Sequence, residues 1–234
     1  MIAREGIPFI AVGLVLTVLL IVLATRMDSR WLFAFTLITA VLTVFTTFFF
    51  RDPPRSFTRG PNILLAPADG RIVSIDSLEH HPYTGGKALK VSIFLSIFDV
   101  HVNRIPAAGT VEYVRYNPGK FLAAYVDKAS EVNEQTEIGI VTSGGEKIVV
   151  KQIAGLIARR IVCRLTHGAK VSAGDRFGMI RFGSRADLIV PAASEIRVKQ
   201  GEHVLGGQTI IGYLKGSPAD SESHEATEEG HVQI

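Results

Sequence analysis

The sequence predicts a mainly β protein: a compact barrel or sandwich body with few short helices, preceded by an α-helical membrane hairpin. Three observations carry this reading. Two uncharged, strongly apolar runs stand near the N-terminus. Downstream, short segments that alternate in polarity or are rich in β-branched residues are separated by glycine-marked turns. Helical periodicity is scarce between those segments. The chain divides accordingly into a membrane hairpin and basic linker over 1–60, a folded domain over 61–215 and an acidic, disordered tail over 216–234.

The hairpin comes first. Ile7 to Ala24, IPFIAVGLVLTVLLIVLA, and Trp31 to Phe50, WLFAFTLITAVLTVFTTFFF, are each near the roughly 20 residues that a helix needs to cross a bilayer. The connector TRMDSR leaves room only for a tight reversal. A removable signal peptide fits poorly, because no small-residue cleavage site follows the first run and a second apolar run begins at once. Two spans return the chain to its starting side. Arg51, Arg55 and Arg59 crowd after the second span, against Arg26 and Arg30 beside Asp28 in the connector. The positive-inside bias therefore places the body on the cytoplasmic face of the cell (inner) membrane. The single cysteine, Cys163, forms no internal disulfide and agrees with a reducing compartment.

Charge is uneven. The tail GSPADSESHEATEEGHVQI holds five acids and no Lys or Arg; setting it aside leaves 25 basic residues against 17 acidic ones. On a protein held at a membrane, that surplus fits attraction to an anionic lipid surface. The basic residues are not interleaved with aromatics, which argues against nucleic acid.

In the body, GRIVSID, ALKVSIFLSI, GTVEYVRY, TEIGIVT, KIVVKQI, RRIVCRL, GMIRFG, ADLIVP, EIRVKQ and TIIGYL read as strands. Short helical turns fit only 120–125 and 152–160. APADGRIVSI and HGAKVSAGDRFGMIRFG echo each other and have the glycine-hairpin look of lipoyl- or biotin-carrier halves. The body thus reads as lipoyl-like hybrid β-halves and not as a repeat array.

Three polar sites interrupt these apolar runs. In LLAPADGRIV, Asp69 sits between Pro67 and Gly70, where a turn aspartate bonding its own backbone is the plain explanation. In SIFLSIFDVHVNRIP, Asp99, His101 and Asn103 alternate with apolar residues, and period two puts them on one strand face before Arg104 and Pro106. In RFGSRADLIVP, Gly183-Ser184 breaks a strand pattern to present a small hydroxyl behind a residue without a side chain. The pair alone is unspecific, since Gly216-Ser217 repeats it. The histidines lack metal-ligand spacing, so no metal site is expected. No Gly-rich nucleotide loop and no GxSxG surrounds Ser184.

Longer blocks are more specific. FFFRDPPR, APADGRIVSI, SIFLSIFDVHVNRIPAAGTV, GKFLAAYVDKASEVNEQTEIGI, QIAGLIARRIVCRL and GDRFGMIRFGSRADLIVP follow one another in that order. Together, from about Phe48 to Pro191, they resemble the short, archaeal-type form of the pyruvoyl-dependent phosphatidylserine decarboxylases. The resemblance implies a proenzyme that cuts itself between Gly183 and Ser184. It implies a β chain of residues 1–183 and an α chain of 184–234 held as a heterodimer, with Ser184 converted to a pyruvoyl cofactor. Phosphatidylserine would lose CO2 through a Schiff base with that group, leaving phosphatidylethanolamine. Asp69 falls on the family's PADG block. His101 falls on the first histidine of a D-x-H-x-x-H-x-P block, with Arg104 where long-form relatives have the second. That departure leaves open which residue deprotonates Ser184. The expectation is that Asp69 orients or polarises His101 and that His101 serves maturation and proton transfer, with a grip on a substrate carboxylate or phosphate as the alternative use of Arg104. A non-catalytic lipoyl-like membrane adaptor is the alternative from another class. A decarboxylase of another serine lipid, such as archaetidylserine, is the alternative within this one.

Overall fold

The computed structural model describes residues 1–57, 60–120, 122, 132–155, 161–181 and 183–215. It forms two compact units, Met1–Pro54 and the part from Arg55 onward.

In the first unit, α1 (Ile7–Met27) and α2 (Arg30–Phe49) are joined by two residues. Asp28 makes the reversal possible by adopting a left-handed backbone, φ 45° and ψ 43°. Both helices are long and apolar enough to cross a membrane. Their hydroxyls do not spoil that character. Thr17, Thr36, Thr43, Thr46 and Thr47 each donate to the carbonyl four residues back, at 2.7–2.8 Å. Gly13 lets the helices approach closely, since a Cβ there would lie 2.5 Å from Thr43 Oγ1. Among the described residues, the exposed large hydrophobics all lie on this unit except Ile97, Phe98, Tyr116, Leu122 and Val132.

The second unit is built of strands: β1 (Ile63–Leu65), β2 (Gly70–His81), β3 (Gly86–Leu95), β4 (Val102–Arg104), β5 (Gly109–Asn117), β6 (Gln135–Thr142), β7 (Lys147–Ile153), β8 (Ile161–Cys163), β9 (Lys170–Val171), β10 (Arg176–Ile180), β11 (Ser184–Pro191), β12 (Glu195–Ile196), β13 (His203–Val204) and β14 (Ile210–Tyr213). Eight of them form one curled antiparallel sheet in the order β13-β2-β3-β11-β7-β6-β5-β9. Two three-stranded sheets, β1-β14-β12 and β4-β10-β8, complete the body. The main core gathers Ile72, Val91, Ile93, Ile138, Val150 and Leu188 from the concatenated strands of the large sheet, with Phe177 from β10.

Strand β11 lies centrally, between β3 and β7, and seven of its eight residues are buried. That explains why ADLIVP reads as a continuous apolar run and not as an alternation: both faces are covered. Leu188 and Val190 join the main core, while Ile189 packs on the other side with Ala88 and Val149. Arg185 shares that second side and is 1% exposed. Its Nε donates to Asp187 Oδ1 at 2.6 Å and its Nη2 to Ser92 Oγ at 2.5 Å. A slip of one residue would drive this ion pair into the apolar core, so the register is strongly specified.

Several strands differ in extent from the sequence expectation. β3 ends at Leu95, short of the expected Ile97, because Ser96 opens a turn. The stretch Asp99–Asn103 is consequently no alternating strand: only Val102–Arg104 is extended, and all three of those residues are buried. Asp99 belongs to the turn. β10 stops at Ile180, before the expected Gly183, and EIRVKQ contributes only Glu195–Ile196. Gln152 and Ile153 close β7 where a helical turn was expected. Ala154 and Gly155 are irregular, and 156–160, most of 120–125 and the acidic tail lie outside the described residues.

Candidate active site

The three polar interruptions converge. Ala68, Leu95 and Ala186 form one small buried cluster, which joins the neighbour of Asp69, the end of β3 and the start of β11. Ser184 pairs with Leu95 in the β3–β11 ladder. Four residues earlier, the Ile180 amide donates to the His101 carbonyl at 3.4 Å. The connection from β10 to β11, which contains the Gly183–Ser184 peptide, is therefore tied at both ends to the segment Leu95–His101.

Asp69 is no turn aspartate bonding its own backbone. Its Oδ1 accepts the Gly206 amide at 2.7 Å, from 137 residues away, and its Oδ2 accepts Arg55 Nη2 at 2.6 Å. Burial pushes its carboxyl above the usual range, more than Arg55 and the Gly206 amide pull it down. Gly70 follows for a steric reason. Its φ is +148°, and a Cβ there would collide with the Phe94 carbonyl of β3.

His101 is fully buried, and its Nδ1 lies 2.9 Å from the Asp99 carbonyl. A carbonyl can only accept, so Nδ1 carries a proton, and in the neutral form of the ring the lone pair is on Nε2. The Asp99 main chain thus orients the imidazole, while the Asp69 carboxylate accepts from Gly206 and Arg55. Asp99 is itself anchored. Its Oδ2 accepts the Ser96 amide at 2.8 Å and hydroxyl at 2.7 Å, and its Oδ1 faces His203 Nε2 at 2.9 Å. Burial raises the Asp99 carboxyl, but the Ser96 and His203 bonds outweigh it and hold it below the usual range.

Ser184 is 0% exposed, and its Oγ has no hydrogen-bond partner among the described residues. Gly183 before it has φ +36°, in the left-handed region, and among the described residues nothing lies within 4 Å of where a Cβ would stand. Glycine is needed there for backbone conformation and not for space. A buried hydroxyl left without a partner costs about 1–3 kcal/mol, and a catalytic role is one reason such a group is kept.

Arg104 is buried, with Nη1 donating to the Gly174 carbonyl at 3.1 Å and its stem packed against Gly207. Beside it, Asn103 Oδ1 accepts Gln152 Nε2 at 2.8 Å. These contacts tie β4, an edge strand of its sheet, to the turn before β10 and to β7.

This arrangement has close relatives. A family model described as phosphatidylserine decarboxylase matches residues 42–212. A phosphatidylserine decarboxylase proenzyme of Symbiobacterium thermophilum is 47% identical over 213 residues, covering 91% of this chain and 95% of the relative. Those of Syntrophus aciditrophicus and Desulfotalea psychrophila are 46% and 44% identical, over 90% and 91% of this chain and 96% of each relative. The chain belongs to the phosphatidylserine decarboxylase family.

Sequence reasoning missed three residues around the site of this decarboxylase. Arg55 reads in the sequence as a membrane-flanking charge, yet it is the ionic partner of Asp69. Asp99 reads as part of a strand face, and His203 as one of several scattered histidines. No local signal announces a partner 14 or 104 residues away; pairing of that kind follows from topology alone. The Gly70 geometry gives a first prediction. Gly70→Ala should separate β2 from β3 and destabilise the decarboxylase by about 2 kcal/mol or more, read as a lowered Tm in thermal melts of the purified protein.

Proposed function

We propose that this chain is a membrane-associated, self-processing phosphatidylserine decarboxylase that makes phosphatidylethanolamine and CO2, with a pyruvoyl cofactor derived from Ser184. The observation that carries the reading is the buried Ser184 hydroxyl, without a hydrogen-bond partner among the described residues, directly behind the left-handed Gly183. The relatives named as proenzymes of this activity support it.

The first step uses the chain's own groups. Oγ of Ser184 attacks the Gly183 carbonyl carbon, the C–N bond breaks and an ester C–O bond forms. The Oγ proton leaves through a base and returns to the departing nitrogen. His101, with its Nε2 lone pair, is the base we assign. Loss of the Ser184 α-proton then expels the Gly183 carboxylate, and water replaces nitrogen at the dehydroalanine, releasing ammonia. The β chain of 1–183 and an α chain of 51 residues result.

The residues present fit such a group, because position 184 is fully buried at the start of β11, away from bulk water. Once formed, the ketone supplies the electron sink that an amino-acid carboxylate lacks when CO2 departs. Around it, His101 holds or delivers a proton, and Asp69 is the fixed carboxylate of the site. Arg104 is the cation closest in sequence to His101, and we assign it to the substrate's anionic group. In this reading the two apolar helices hold the body at the lipid surface that contains the substrate, and the excess of basic residues after the second helix supports a cytoplasmic orientation at the inner membrane.

Intact-mass measurement of the purified chain tests the reading. Two fragments are expected, the smaller starting at position 184 with no free amino terminus, and a detergent assay with phosphatidylserine should release CO2. A single uncut but active polypeptide overturns it. Two further outcomes are expected. Gly183→Ala should fold, strained by about 1–2 kcal/mol at φ +36°, and should mature about tenfold more slowly in a time course of cleavage. The cleavage rate should also fall on the acid side. Asp69 acts as a carboxylate, and burial has raised its pKa, so protonation removes it at a higher pH than an exposed aspartate would require.

A further inference from the structure

Arg55 is separated from the motifs that carry the chemistry, yet it is built into their geometry. Its side chain is only 9% exposed, and that of Asp69 only 6%. One guanidinium nitrogen, Nη2, donates to Asp69 Oδ2 at 2.6 Å, and the other, Nη1, donates to Gln208 Oε1 at 3.3 Å. The other Asp69 oxygen accepts the Gly206 amide from the same turn that contains Gln208. Gly206 is pressed so closely on Ala68 that a Cβ there would meet its backbone at 2.9 Å. Arg55, Asp69 and the Gly206–Gln208 turn therefore form a closed triangle with one ionic and two hydrogen-bonded sides.

We propose that Arg55 is a positioning residue for maturation, the group that fixes the Asp69 carboxylate and ties it to the Gly206–Gln208 turn. The inference rests on the reading above that Asp69 serves self-cleavage. A planar fork suits the task, because it reaches two acceptors at once where an ammonium offers a point charge. The electrostatics agree. Among the described residues, the charged groups facing Asp69 are Arg55 and, with the opposite effect, Asp99, whose carboxylate is already held by Ser96 and His203. Without Arg55, the buried carboxylate faces repulsion from Asp99 with only the Gly206 amide for support. The protonated acid is then favoured, so the ionised fraction falls at neutral pH and recovers as pH rises.

The test uses the full-length chain in membranes, with Arg55→Gln, Arg55→Lys and Asp69→Asn compared by the cleaved fraction over time from pH 5 to 10, alongside thermal melts. Arg55→Gln should mature about ten- to a hundredfold more slowly at neutral pH and regain rate as pH rises, on a limb displaced to higher pH. Arg55→Lys should keep the limb near its wild-type position with a partial rate, and Asp69→Asn should be slow at every pH. If Asp69→Asn is slow but Arg55→Gln matures at the wild-type rate with an unchanged profile, the Arg55 inference alone falls. Wild-type maturation of Asp69→Asn removes the reading on which it rests. An Arg55→Gln deficit that is the same at every pH, tracks a lowered Tm and is not relieved by Arg55→Lys means a merely structural role, and also overturns the proposal.

Discussion

Alanine at position 184 is expected to leave a single 25.4 kDa polypeptide with no measurable decarboxylase activity. The loss should be total, because the substitution removes both the attacking hydroxyl and the atoms from which the ketone is made. It should not be a folding defect. The Ser184 hydroxyl is buried with no hydrogen-bond partner among the described residues, so deleting it relieves a desolvation cost of about 1–3 kcal/mol. The variant should therefore melt at the wild-type temperature or above. Gel mobility or intact mass reads the first outcome, and a thermal melt the second. Cleavage in Ser184→Ala, or activity in its uncut form, contradicts the proposed chemistry outright.

The second large effect concerns His101. Replacing it with glutamine keeps a polar side chain of similar length beside the Asp99 carbonyl but removes the titratable lone pair. Self-cleavage should slow by about 10²–10⁴-fold, the usual worth of a general base. His101→Ala should show the same loss together with a drop in stability, since it empties a fully buried site. Arg104→Ala separates the two roles. It should still cut itself, while the mature enzyme shows a raised KM for phosphatidylserine. Cleavage time courses and turnover assays run separately on these variants give the answer. Normal maturation of His101→Gln removes His101 from the first step.

Much of this was legible in the sequence, and the parts that were not share a physical cause. The two helices were readable because apolar runs of spanning length have few other uses, and β2, β5, β6, β7 and β11 because their composition is set by a core on one or both faces. Asp69, His101 and Ser184 stood out as polar residues inside apolar runs. Their convergence did not, since it depends on β3 and β11 pairing across roughly 90 residues of chain. The turn at Ser96 was hidden by its apolar neighbours. Ile97 and Phe98 extend the strand pattern of β3, yet Phe98 is 63% exposed, because the Asp99 carboxylate caps Ser96 and bends the chain away. The Asp69 carboxylate is hydrogen-bonded to Arg55 and Gly206, and the Asp99 main-chain carbonyl, which no sequence pattern advertises, meets His101 Nδ1. Arg55 was misassigned for a similar reason: a charge that follows an apolar run looks like a membrane flank until its partner is seen.

The placement of β11 bears on how this protein can be taken apart. A cut before Ser184 would leave a short fragment whose first strand is threaded between β3 and β7, and whose later strands β13 and β14 are laced to β2 and β1. Separation would then demand wholesale loss of the sheet, so the two pieces should stay together through dilution and chromatography. Once denatured, however, they must find one another by collision, and recovery would depend on concentration where the uncut precursor refolds alone. Self-scission would act as a ratchet: the polypeptide has one opportunity to fold as a continuous chain, and afterwards its persistence is governed by the rate at which it comes undone.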